Sequence, residues 1–311
     1  MKQFSKYSPF LALLFSLLFF LAASIRIRLC AYPVEGIHHF DFAWYKDVIV
    51  FLLLCTTGII LNRTLADLKI LSIGNCQALL LFVMASIAVY VPTSITSYIA
   101  SFSIAASLSY AVKTINLKSS QGNSFLSFFF IGLAATLEPA LAWMAALLII
   151  YCLQVKISFK SIVSEIVAFC LCPFIMMFVK WYTGSAFESV FTQYVKEICT
   201  FKGLLGTPLE PTLSMVIMIL FVSLGFYAII EAIPSMRLII IRRKMVSCIT
   251  WFFIVLLSIV VFVNCSINMI PIVAAPFAIL ASISLEKMDD NFSNFIYYGL
   301  VLCLIAHLWI D

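Results

Sequence analysis

Ionisable residues are scarce in this chain, so the places where they gather stand out. Residues 31–47 read AYPVEGIHHFDFAWYKD and hold Glu35, His38, His39, Asp41 and Asp47 among Phe40, Phe42, Trp44 and Tyr45. A carboxylate in such a loop has the chemistry of a general base. It can take a proton from an acceptor hydroxyl or amine while a lipid-phosphate leaving group departs. Asp41 is the candidate catalytic residue, because the aromatic side chains flanking it can stack on a sugar. His38, His39, Trp44 and Tyr45 are the candidate substrate contacts. Arg26 and Arg28 precede the loop, and a guanidinium grips phosphate with two parallel N–H bonds. They are the candidate ligands of a lipid phosphate. Plainer readings stand beside these. Loop acids are ordinarily solvated, and Trp, Tyr and Arg at a bilayer surface are ordinarily anchors. His38 and His39 lack a third and fourth ligand nearby, so no metal is expected.

Glu138 is the other candidate catalytic residue. It lies within the apolar stretch 125–154, and an acid at membrane depth is functional by default. A cap on the helix that Pro139 begins accounts for it equally well. Glu165 and Glu231 fall near span ends, where a short path to water makes a charge cheap. The sequence has no phosphate-binding loop, dinucleotide fingerprint or nucleophile elbow, and no cofactor is expected.

The elements that would position these residues are membrane spans. Of 311 residues, 64% are hydrophobic and 11% charged, against about 25% charged in soluble domains. A polar exterior cannot be built from that stock. The apolar runs are continuous rather than alternating, which points to helices and not a barrel. Roughly 20 residues of helix cross a bilayer core of ~30 Å. The expected spans are 8–25, 47–62, 75–91, 94–112, 125–137, 139–154, 162–180, 212–234, 246–264, 268–285 and 293–310. The expected fold is therefore all-α: a polytopic transmembrane helical bundle of about 11 spanning or half-spanning segments. It forms one integral membrane domain over 1–311, with outer loops at 26–47 and 181–211. Within the second loop, Ala186 to Phe201 has an amphipathic pattern suited to the membrane surface. Most of the ten cysteines sit inside apolar runs and read as small packing residues.

Lysine and arginine orient the chain, since cytoplasmic loops carry the excess. If 125–154 is two short spans meeting at Glu138-Pro139, the 19 cations divide 13 inside and 6 outside. If it is one span, everything beyond it flips and the division becomes nine inside and ten outside. The two-span reading, with a cytoplasmic N-terminus, is the one expected. Glu138-Pro139 is then an outward-facing turn. The residue before a proline avoids helical geometry, and proline suits the first turn of the next helix. The net charge of +5 is spread over short loops and reads as topology, not nucleic-acid binding.

Residues 61–92, 128–160 and 172–185 resemble an uncharacterised family of polytopic inner-membrane proteins from Bacteroidetes. The shared cues are Asn62-Arg63 after a span, the Gly132-to-Pro139 segment, and Pro173 before an aromatic-rich exit. That resemblance implies a bacterial inner membrane. Gly132-Leu133-Ala134, Thr136 and Pro139, with Met269-Ile270-Pro271 and Pro276-Phe277-Ala278-Ile279-Leu280, resemble segments of the multi-spanning glycosyltransferases that use polyprenyl-phosphate-linked donors. It implies membrane lipid, and a polyprenyl-phosphate lipid in particular, as partner, with the acid in the first outer loop as base. Glu138 stands where those proteins carry a basic residue. Two other functions stay open: a non-enzymatic subunit with protein partners in a membrane complex, and a transporter of a small solute or lipid.

Overall fold

A computed structural model describes residues 9–31, 44–71, 75–87, 95–114, 121–146, 159–199, 213–234 and 270–310, with parts of 236–253. Every regular element among them is helical. The α-helices are α1 (Pro9–Ala31), α2 (Trp44–Asp67), α3 (Gln77–Ile87), α4 (Ile95–Thr114), α5 (Gln121–Leu137), α6 (Phe159–Tyr182), α7 (Phe187–Cys199), α8 (Leu213–Tyr227), α9 (Ile270–Lys287) and α10 (Asp290–Ile310). A 3₁₀ segment, Pro139–Ala146, follows α5, and a π turn, Ala228–Ala232, extends α8. Three helices are long and apolar enough to cross a membrane: Tyr45–Asp67, Ile95–Thr114 and Phe159–Tyr182.

Hydroxyl side chains inside these helices need acceptors, because hydrocarbon offers none. The carbonyl one turn back is the nearest. Ser16 bonds Ala12, Thr57 bonds Leu53, Thr64 bonds Ile60 and Ser282 bonds Ala278 in this way. Other hydroxyls join helices. Ser101 donates to the Pro271 carbonyl at 2.7 Å, Ser107 to Ser127 at 2.6 Å, and Ser284 to Leu224 at 2.6 Å.

Small residues choose the centre. Pro271 through Leu285, rich in Ala and Ser, is buried on every side, and so is all of α3. Between helices in lipid, close packing replaces the hydrophobic effect as the driving force, and small side chains permit it. Helix α6 is the converse. Only 28% of its apolar window is buried, and Phe174, Ile175, Phe178 and Val179 face outward.

Pairwise contacts fix the directions. Lys113 meets Asp67 at 3.6 Å, so α2 and α4 run parallel and end together. Ser97 meets Glu138 and Ser107 meets Ser127, so α5 runs back along α4. Ser124 bonds Glu165 and Cys172 approaches the Phe129 carbonyl, so α6 runs parallel to α5. Parallel neighbours require the chain to return between them. The end of α5 and the start of α6 therefore lie at opposite ends of the pair.

The stretch between the first two helices differs from expectation. Helix α1 continues to Ala31 and α2 begins at Trp44, so the outer stretch 26–47 is helical at both ends. The loop 181–211 contains α7, close to the expected amphipathic segment. Glu165 also departs from expectation: it is 1% exposed and lies against α5 rather than at a wet end.

Candidate functional site

The site is built around a proline. The Glu138 amide donates to the Ala134 carbonyl at 2.9 Å and completes α5. The next amide would satisfy the Ala135 carbonyl, but Pro139 has no N–H. Tyr194 on α7 supplies the missing donor, its Oη reaching the Ala135 oxygen at 3.0 Å. Trp143 Nε1 in the 3₁₀ segment reaches back to the Ile198 carbonyl at 3.4 Å. The turn and the amphipathic helix thus clasp each other through the C-terminal half of α7. Thr136 bonds the Gly132 carbonyl, and the Leu141 amide bonds that of Glu138. Burial pushes the Tyr194 phenol up to about 12, with Cys170 and Glu197 adding to the rise. It stays a neutral donor at any physiological pH.

Between the turn, the end of α6 and α7 lies a cleft of about 170 Å³. Leu137, Pro139, Met176 and Val190 form its apolar walls, and Lys180, Gln193 and Glu197 its polar ones. Gln193 donates to Glu197 at 3.0 Å. Lys180 is exposed beside them. A cleft of mixed lining, with apolar side chains beside one cation, one carboxylate and one amide, is suited to an amphiphile with a charged head.

Glu138 adjoins this cleft without lining it. Its Oε1 accepts from Ser97 Oγ at 3.3 Å, so the carboxylate faces α4. Asp41, His38 and His39 lie outside the described residues. Arg26 and Arg28 sit on the last turns of α1 and Trp44 opens α2, with backbone alone described. Tyr45 is exposed. Ser24 of α1 donates to Asp47 of α2 at 2.9 Å, which joins the end of α1 to the start of α2. By the helix directions, those ends, Glu138, Lys180 and α7 all belong to one end of the bundle. The structure brings the helix ends that flank residues 32–43 and the Glu138-Pro139 turn to the same end.

Two residues of this site were missed in the sequence, and so was the setting of a third residue at the other end of the bundle. Lys180 looked like one more interfacial cation, and its partners come from segments 40 residues and more away in part of the wall. Tyr194 offered only its place on an amphipathic helix. Glu165 is a second buried acid, accepting from Ser124 with its other oxygen unpaired among the described residues.

Helices of this length and hydropathy, with hydroxyls turned onto their own carbonyls, define an integral membrane protein of the helical class. No family model, curated protein or solved structure matches the chain.

Proposed function

We propose that this chain is a multi-pass bundle of about 11 spanning or half-spanning segments in a bacterial inner membrane, with its N-terminus in the cytoplasm. Its work is that of a glycosyltransferase-like protein acting on polyprenyl-phosphate-linked sugars during envelope glycoconjugate assembly. The observation that carries this reading is the cleft, where apolar walls meet the Lys180 cation under an amphipathic helix. An isoprenoid tail needs the walls and its phosphate needs the cation. The loop that bears Asp41 springs from α1 and α2 at the same end. In the reaction Asp41 accepts the proton of the acceptor hydroxyl. The acceptor oxygen bonds the anomeric carbon, and the polyprenyl phosphate leaves with the electrons of the broken C–O bond. Arg26, Arg28 and Lys180 stabilise the charge on that leaving group.

The test is transfer from a polyprenyl-phosphate sugar by the full chain in mild detergent, with lipid extracted from the same sample. Asp41→Ala is expected to abolish transfer at unchanged membrane abundance, and Lys180→Ala to lower the polyprenyl phosphate that co-purifies. Transfer that survives Asp41→Ala refutes the catalytic assignment. A wild-type chain free of polyprenyl lipid but bound to stoichiometric protein partners favours the non-enzymatic subunit. The outward aromatic face of α6 supports that second reading, since a partner helix could cover it as well as lipid does.

A further inference from the structure

Helix α7 carries an apolar arc that the protein only half uses. Its sequence, FESVFTQYVKEIC, places Phe187, Val190, Phe191, Tyr194, Val195 and Ile198 on one side. Along one edge of that arc, Val190 and Tyr194 are buried in a cluster with Met177 of α6, and Ile198 packs against it. Along the other edge, Phe187, Phe191 and Val195 recur every fourth residue and stay 42%, 50% and 39% exposed. Next to this bare edge come Glu188, Thr192 and Lys196, all turned outward. Gln193 and Glu197 follow and line the cleft. The order around the helix is therefore bare apolar, charged, cleft-lining polar, buried apolar.

Contacts set the direction and depth of α7. Gly184, at φ 101°, ends α6 in the left-handed region. Its N–H donates to the Trp181 carbonyl at 3.0 Å and the Ser185 N–H to that of Lys180 at 3.0 Å, the paired bonds of a glycine cap. The chain turns there and α7 begins at Phe187. Val190 then packs with Met177 of α6, Tyr194 bonds the Ala135 carbonyl of α5, and Ile198 accepts from Trp143 beyond the end of α5. Helix α7 thus crosses α6 and α5 instead of running along them. Met177 lies five residues before Tyr182, about 7 Å short of the end of α6. Ala135 lies two residues before Leu137, about 3 Å short of the end of α5. The helix rests beside the last turns of both, not above them.

We propose that Phe187, Phe191 and Val195 dock into the boundary between head groups and acyl chains in the leaflet at this end of the bundle, so that α7 is an in-plane membrane helix. Three observations choose lipid over a second copy of the chain or another protein. The bare edge joins, through the four-residue turn 183–186, to Trp181 and Tyr182, which are 52% and 81% exposed at the end of α6. Phe174, Ile175 and Phe178 continue that outward surface down a helix long and apolar enough to cross the membrane, and tryptophan and tyrosine concentrate where such a surface meets the head groups. The charged edge adjoins the bare one, as it must where acyl chains give way to water. The third observation is charge: Glu188, Lys196 and Glu197 leave α7 with a net charge of −1. Attraction to anionic head groups then contributes nothing, and apolar burial alone holds the helix. The placement of α7 does not depend on the proposed transferase activity.

The test is photo-crosslinking of the full chain in phosphatidylcholine vesicles and in native membranes. The photoreactive residue p-benzoylphenylalanine replaces Phe187, Phe191 or Val195 on the bare edge, and Glu188 or Thr192 on the charged edge. All five positions are exposed, so the fold tolerates the larger ring. Adducts are read by mass spectrometry as lipid, as a second copy or as another protein. The bare edge should give acyl-chain adducts at about threefold or more the yield of the charged edge. Adding phosphatidylglycerol to the vesicles, or raising the salt, should leave that ratio unchanged. Equal lipid yields from the two edges overturn the proposal. So do bare-edge adducts that fall chiefly on a second copy, or on another protein in native membranes. A yield that rises with phosphatidylglycerol and falls with salt overturns the apolar hold.

Discussion

Gly132→Ala is the sharpest test of how α5 and α6 are joined. Pro173 inside α6 has no N–H to offer the Phe169 carbonyl one turn back. That oxygen turns instead toward α5. A Cβ built on Gly132 would lie 2.3 Å from Phe169 O, 3.0 Å from its carbonyl carbon and 3.2 Å from its Cα. All three are backbone atoms, so no side chain can swing aside, and the helices must part by most of an ångström. Overpacking of this kind costs about 1–3 kcal/mol, occasionally more. Alanine recovers about 0.5–1 kcal/mol of helix propensity. The net expectation is a loss of about 1–2 kcal/mol, read as a lower unfolding midpoint in detergent. Gly299 in α10 is the control, since a Cβ there meets nothing within 4 Å. Gly299→Ala should be neutral or stabilising. A second arm is Pro173→Ala, which restores the amide that would draw the Phe169 carbonyl back into line. In that background Gly132→Ala should cost less, a coupling measurable in a double-mutant cycle. Strict additivity, or a Gly132→Ala chain as stable as wild type, would refute the account of this contact.

Two further outcomes follow from the same packing. Tyr194→Phe leaves the Ala135 carbonyl without its donor, at a cost of about 1–2 kcal/mol. Limited proteolysis should then cut near α7 much faster while the unfolding midpoint of the bundle barely moves. Glu165→Gln keeps an acceptor for Ser124 and should accumulate in membranes at wild-type levels. Glu165→Leu strands the Ser124 hydroxyl between two helices and should lower abundance and midpoint together. Equal behaviour of the two variants would mean that the Ser124 bond is not what holds Glu165 in place.

Hydropathy revealed the helices but not their neighbours. In a soluble helix an apolar stripe marks the buried face, yet in a bilayer both lipid and protein accept apolar side chains. Helices α6 and α9 therefore look alike by hydropathy, though α9 is central and α6 peripheral. Their difference was present in residue size: Ala274, Ala275, Ala278, Ala281, Ser282 and Ser284 in α9, against Phe174, Ile175, Met176, Phe178 and Val179 in α6. The end of α5 at Glu138-Pro139 was legible because a proline acts on its own neighbours. Glu165 was not, because its partner Ser124 lies 41 residues earlier. The cleft was equally hidden, since Pro139, Lys180 and Tyr194 come from three segments that only tertiary structure joins. For Asp41, His38 and His39 the sequence reading alone stands.

The helix directions also sort charge. Arg63, Lys69 and Lys113 lie at the ends of α2 and α4, Lys160 at the start of α6 and Lys287 at the end of α9. Those termini share one end of the bundle, tied by the Lys113–Asp67 pair, the Gln77–Ser282 contact and the Ser124–Glu165 bond. Arg26, Arg28, Lys46, Lys180 and Lys196 belong to the other. These ten cations divide evenly between the two ends, so the orientation proposed for the chain rests on the charge count over the whole sequence and not on these helix ends. The division bears on the cleft all the same. Ser24 and Asp47 tie the last turns of α1 to the start of α2 at the end where Lys180 stands. A lipid phosphate resting on Lys180 therefore shares its end of the bundle with Arg26 and Arg28, and losing any one of the three cations should weaken its hold less than losing all three.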